Sequence, residues 1–185
     1  MKRIILQSLI LISFLMFSCG GDPLPKPKGM LRLEYPKASY SQLDTTCAYA
    51  FDINKETVVT LTNNCALTLQ YPKMNASIFI TYKPVADNLD KLLRDAQKLT
   101  YEHVAKADNI QEQPFVNPTN KVYGMFYVVS GNAASASQFY VTDSTSHFLT
   151  GSLYFNTKPN YDSVLPAAKY LEEDIRKMME TLHWK

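Results

Sequence analysis

After its first twenty residues, this chain has only two stretches that place apolar residues at every third or fourth position. Most of the remaining periodic segments alternate apolar and polar residues or run in short β-branched and aromatic blocks. This pattern limits the fold strongly, because helices and strands that do not alternate along a chain cannot be wound into successive βαβ units. The first helical stretch opens at Asp87 or Asn88 as cap and reaches about Ala107, with Leu89, Leu92, Leu93, Ala96, Leu99 and the His103/Val104 turn on one face. The second is capped by Asp162 or Ser163 and carries Val164, Leu165, Ala168, Leu171, Ile175, Met178, Met179 and Leu182. Strand-like segments cover residues 31–35, 48–53, 57–62, 66–71, 77–83, 122–130, 137–142 and 148–155. Two amphipathic helices need a surface to cover, and the strands supply it. The expected fold is α+β: a mainly antiparallel sheet covered by two amphipathic helices, with Trp184 packing back on the sheet.

The N-terminus sets the compartment. Lys2 and Arg3 precede an apolar run over residues 4–17 that is broken only by Gln7 and Ser13, and Ser18-Cys19 follows. This is a secretory signal, too short to count as a spanning helix. It resembles a bacterial lipoprotein signal, which makes Cys19 the lipidated first mature residue. The expected organisation is a signal over 1–18, a lipidated tether over 19–29 and one domain over 30–185. The tether holds three prolines in ten residues, and a semi-extended stalk of that length reaches roughly 30 Å.

With Cys19 carrying lipid, two of the three cysteines remain, an even number in an oxidising space. Cys47 and Cys65 are therefore either a disulfide pair or two free thiols. The net charge also changes on export. Loss of Lys2 and Arg3 leaves 19 − 2 = 17 basic residues against 17 acidic ones. A neutral domain without a basic cluster is a poor nucleic-acid binder, so membrane contact falls to the acyl chains alone.

A search for chemistry leads to the stretch over residues 131–155, where Asp143, Ser144, Thr145 and His147 supply the residue types of a nucleophile, a base and an orienting carboxylate. They are adjacent in sequence rather than convergent, and no Gly-x-Ser-x-Gly elbow is present. Between two strands, Asp and Ser side chains bond to nearby backbone amides, and the segment reads as a polar turn. His103, His147 and His183 share no metal-ligand spacing, and Gly131-Asn132-Ala133-Ala134 lacks the pattern of a phosphate loop. No metal or cofactor is expected, and no catalytic set emerges. Asp44-Thr45-Thr46, Asp143-Ser144-Thr145 and Asp162-Ser163-Val164 each resemble a short periplasmic O-glycosylation motif. They mark Thr45, Ser144 and Ser163 as candidate acceptors, with glycan on one of them at most.

The runs "PKPKG" (25–29), "NLDKLLRDAQKLTYEHVAKADNI" (88–110), "VYGMFY" (122–127), "GNAASASQFYVTDSTSHFLTGSLYF" (131–155), "PNYDSVLPAAKYLEEDI" (159–175) and "METLHWK" (179–185) together resemble the gliding-motility lipoprotein D family of Bacteroidota. The resemblance implies a cell-envelope component of gliding and of the associated type 9 secretion machinery. Its partners would be other proteins of that apparatus, and it implies no reaction. The polar turn at 143–146 and the aromatic residues Tyr123, Tyr127, Phe139 and Tyr140 are candidate contacts, unless the rings are simply core. The alternatives are a module binding glycan or peptidoglycan fragments through its Tyr and Phe residues, or an envelope hydrolase using Ser144 and His147.

Overall fold

The computed structural model describes residues 33–43 and 45–185. The signal, Cys19, the tether and the start of the strand expected over 31–35 lie outside the described residues. Residues 33–39 carry no regular structure, and Pro36 interrupts the alternation there. Three short strands follow, β1 (Tyr40–Gln42), β2 (Tyr49–Ala50) and β3 (Asp52–Asn54). Next come β4 (Val58–Leu61), β5 (Leu67–Tyr71) and β6 (Ala76–Pro84), then helix α1 (Leu89–Tyr101), which tightens into a 3-10 turn over Glu102–Ala105. The long strands β7 (Ala107–Asn117), β8 (Val122–Gly131), β9 (Ser135–Thr142) and β10 (His147–Phe155) lead to helix α2 (Tyr161–Thr181) and the short β11 (His183–Trp184).

Seven strands form one antiparallel sheet in the order β4-β5-β6-β10-β9-β8-β7. Two small ribbons flank it, β1 with β3 and β2 with β11. The α+β expectation therefore holds, with helices on both faces of the sheet. Strand alternation assigns the side chains. Leu67, Leu69, Ile78, Ile80, Phe126, Phe139, Val141, Leu149 and Leu153 point to one face and meet Leu171, Ile175, Met178 and Met179 of α2 in the main core. Tyr127, Tyr140 and Phe148 point to the other face and pack with Leu92, Leu89, Leu93 and Ala96 of α1. Three of the four aromatic residues expected as possible contacts, Tyr127, Phe139 and Tyr140, are thus core, and Tyr123 is half-buried.

Local chemistry explains several departures from expectation. Asn88 does stand at the α1 N-cap position, but its side-chain oxygen turns back to accept the Ala86 N–H at 2.9 Å. Helix α2 begins before Asp162, with Asn160 as N-cap, and the Ser163 hydroxyl donates to the Asn160 carbonyl at 2.9 Å. Gly131 adopts φ +94°, and any Cβ there would lie 2.5 Å from the Asp108 backbone nitrogen, so the chain can turn only on glycine. Cys47 and Cys65 form a disulfide with a Cα–Cα distance of 5.7 Å, joining the loop before β2 to the β4–β5 turn.

Candidate functional site

The turn joining β9 to β10 is organised by one carboxylate. Asp143 Oδ1 accepts the backbone N–H groups of Thr145 at 3.0 Å, Ser146 at 2.8 Å and His147 at 2.8 Å, and Oδ2 accepts the Thr145 hydroxyl at 2.9 Å. Partial burial pushes its pKa up, but the four donors outweigh that and hold it at about 2. Ser144 sits in the left-handed region at φ 69°, where its N–H is held by the Thr142 hydroxyl at 2.9 Å.

No triad forms here. Asp143 binds the backbone of His147 rather than its ring. That ring shares a 2.8 Å hydrogen bond with the Tyr82 hydroxyl and stacks on Trp184 with centroids 5.0 Å apart. Among the described residues the Ser144 hydroxyl makes no hydrogen bond to His147. Trp184 is fixed in turn, its indole N–H donating to the Lys121 carbonyl at 3.1 Å and its strand pairing with β2.

The other sequence-predicted positions lie apart. Thr45 Oγ1 accepts the Cys47 N–H at 3.3 Å, and Asp44 of its triplet is outside the described residues. Ser144 and Ser163 are exposed, one at the apex of the β9–β10 turn and the other in the first turn of α2. His103 is satisfied at the edge of α1. Its Nε2 accepts from the Gln138 amide at 2.8 Å, while Gln138 Oε1 accepts the Thr100 hydroxyl at 2.7 Å, and burial lowers its pKa against the opposing pull of Glu102. Among the described residues there is no cluster of three or more His, Cys, Asp or Glu that could hold a metal ion.

Two arrangements were not apparent from the sequence. The first is an uncovered sheet face. Helix α1 packs with residues of β7, β8, β9 and β10 on its face, and among the described residues no helix covers β4, β5 and β6 there. The registers place Thr60, Thr68, Phe79 and Ser152 in one row across the sheet. Phe79 is 46% exposed and meets Tyr154 edge to face at 5.9 Å, and Val58 on the same face is 52% exposed. Leu99 of α1, also exposed, shares a small cavity with Thr150 and Ser152 and extends the apolar surface toward the helix. Phe79 belongs to the strand-like segment over 77–83, and period-two alternation alone cannot say whether a strand's second face is covered.

The second is a buried acid. Asp174 of α2 is 1% exposed. It accepts the Tyr40 hydroxyl at 2.7 Å and the Asn54 amide at 3.0 and 3.3 Å, and the Asn54 amide also reaches the Tyr170 hydroxyl at 2.9 Å. Its spacing to Leu171, Ile175 and Met178 is the missed signal, since 171, 174, 175 and 178 lie on one helical stripe.

Fold, bridge and surface together define a disulfide-bonded α+β domain of the exported kind, with half of one sheet face uncovered by any helix among the described residues. Comparison with known families then gives the particular one. Residues 20–184 match the family described as gliding motility lipoprotein GldD, and the chain belongs to that family. Membership makes it a lipoprotein of the cell envelope connected with gliding motility, in a family not known as one of enzymes. Among curated proteins, none matches the chain. No helix among the described residues is long and apolar enough to cross a membrane.

Proposed function

We propose that this lipoprotein is a non-enzymatic structural or assembly component of the gliding apparatus and its associated type 9 secretion machinery. In this reading it is anchored through lipid on Cys19, faces the periplasm, and docks other envelope proteins of that apparatus. The observation that carries the proposal is the half-face on β4, β5 and β6 that no helix among the described residues covers. A sheet face that keeps Phe79 and Val58 half-exposed while α1 covers the remainder is an interaction surface in its chemistry, an apolar centre rimmed by Thr60, Thr68, Gln70 and Thr81.

The alternative of a glycan-binding module has less support. Sugar platforms need a flat exposed ring, whereas Phe79 and Tyr154 meet at 65° and the His147 ring lies over Trp184. Affinity isolation of the C-terminally tagged protein from mildly solubilised native membranes tests the proposal. Recovery of other gliding or secretion lipoproteins near stoichiometry is expected for the wild type, with at least a tenfold loss for Val58→Lys/Phe79→Lys. Both residues are half-exposed, so the double substitution should change folding stability by no more than about 1 kcal/mol. A clean monomer from wild-type cells, or unchanged recovery with the variant, would overturn it.

A further inference from the structure

Strand β4 is open in its backbone as well as in its side chains. Among the described residues it pairs only with β5, and no strand lies beyond it. The β4–β5 turn shows which peptide groups point outward. The Thr62 N–H donates to the Ala66 carbonyl at 2.9 Å, and the register continues from there through Thr60↔Thr68 and Val58↔Gln70. Hydrogen-bonded pairs alternate with open ones along an antiparallel ladder, so Val58, Thr60 and Thr62 turn their peptide groups to β5. Val59 and Leu61 therefore turn their N–H and C=O groups away from the sheet. An edge of this kind is usually blunted by charge, proline or a bulge. Here it reads Val-Val-Thr-Leu, with Val58 52% exposed on one face and Leu61 43% exposed on the other.

We propose that β4 pairs antiparallel with β4 of a second copy of this chain, about a two-fold axis through Thr60. Symmetry and side-chain alternation narrow the register. Two sheets join with corresponding faces on the same side only if even-numbered residues oppose even-numbered ones. Of the registers that satisfy this, two keep most of the strand in overlap. With Thr60 opposite Thr60, Val59 and Leu61 exchange hydrogen bonds with Leu61 and Val59 of the second copy, and every outward peptide group of both residues is used. With Val59 opposite Val59, Leu61 comes opposite Thr57, whose N–H already donates to the Asn54 carbonyl at 3.0 Å, so the Leu61 carbonyl gains no donor.

The Thr60-centred register also suits the side chains. Thr60 meets Thr60 on one face, and on the other Leu61 lies against Val59 of the second copy, covering apolar surface that the single chain exposes. At the strand ends Glu56 falls opposite Asn64 and Lys55 opposite Cys65, so no like charges meet. The same few residues thus supply both halves of the contact. The pairing concerns the open edge of β4 and does not rest on what the adjoining face binds. A contact this small is weak in dilute solution, but membrane anchoring confines both copies to one plane and raises their effective concentration.

Disulfide trapping of the full-length protein in native membranes tests the pairing. Residues opposite one another at an open pair of an antiparallel ladder have Cα atoms about 4.5 Å apart, within the roughly 4.4–6.8 Å that a disulfide spans. Thr60 is exposed, and mild oxidation of Thr60→Cys should link at least about half of the chains into a dimer of two copies. Position 58 lies on the same face but about 13 Å from its counterpart, four residues along the ladder, so Val58→Cys should link at least about tenfold less. Leu61→Pro removes an outward N–H without touching the β4–β5 ladder, and in the Thr60→Cys background it should lower linkage by at least about tenfold. Leu61→Lys brings two cations onto one face of the joined strands and should do the same, which decides the matter if the proline variant does not fold. A Thr60→Cys chain that stays monomeric or links to a different protein, equal linkage at Val58→Cys, or linkage kept in either folded Leu61 variant would each overturn the pairing. Trapping reads copy against copy, so its failure leaves recovery of other gliding proteins as the separate test of the docking face.

Discussion

Removing the Cys47–Cys65 bridge should cost the domain a large fraction of its stability. The bridged residues are 18 apart in sequence. In the chain-entropy model a loop of that size contributes roughly 2.1 + 1.5R ln 18, about 10.7 cal/mol/K, which is about 3 kcal/mol at room temperature. Cys47 is buried in the main core, so alanine is the appropriate replacement and serine would add a buried hydroxyl. Equilibrium urea unfolding of wild type and Cys47→Ala/Cys65→Ala, with the wild type repeated under reductant, measures the difference. With a slope of about 2 kcal/mol/M for a domain of this size, the midpoint should fall by about 1.5 M. The reduced wild type and the double variant should agree within about 1 kcal/mol. A midpoint shift below 0.5 M (an order-of-magnitude threshold) at unchanged slope would refute the reasoning, because the bridge would then be constraining little of the unfolded chain.

Two further outcomes test the site geometry. Asp143→Ala removes one hydroxyl and three backbone hydrogen bonds from the β9–β10 turn and should cost about 1 kcal/mol, the depressed pKa being discounted for partial solvent exposure. That contribution is present above the ordinary Asp value and lost as pH falls through about 2, so an acid-unfolding series should show the wild type and the variant converging at the low end. Gly151→Ala places a Cβ 2.1 Å from the Phe139 ring and should cost about 1–3 kcal/mol in thermal unfolding, with part of the loss recovered by adding Phe139→Leu.

Much of the architecture could be read from the chain, for identifiable reasons. Strands β5 and β6 bury alternate residues, so period two shows in them, whereas β8, β9 and β10 are covered on both faces and read as near-continuous apolar and aromatic runs. Strand β7 was missed because "ADNIQEQPFVN" is polar on both faces and contains Pro114; as an edge strand it is only half-buried, and burial is what writes the pattern. Ribbons β1–β3 and β2–β11 have three and two residue pairs, too few for periodicity to register. The turn at Asp143 was legible because Asx chemistry is local. The bare face and the Asp174 cluster were not, since each depends on what a neighbouring element does or fails to cover. Glu172-Glu173-Asp174 resembles a solvated helix edge until Leu171 and Ile175 are seen to flank it on the buried stripe.

The two ends of the large sheet are not alike. The long outer strand β7 contains Pro114, which offers no N–H, and a register shift near Ala107 and Asn109 interrupts its ladder. Both features blunt it as a template for another strand. The opposite edge, β4, is short, carries neither proline nor charge, and lies beside the bare face bearing Val58 and Phe79. One flank of the sheet thus carries features that block strand addition and the other, among the described residues, lacks them, so the two edges are not equivalent templates and cannot serve one another in an open-ended array.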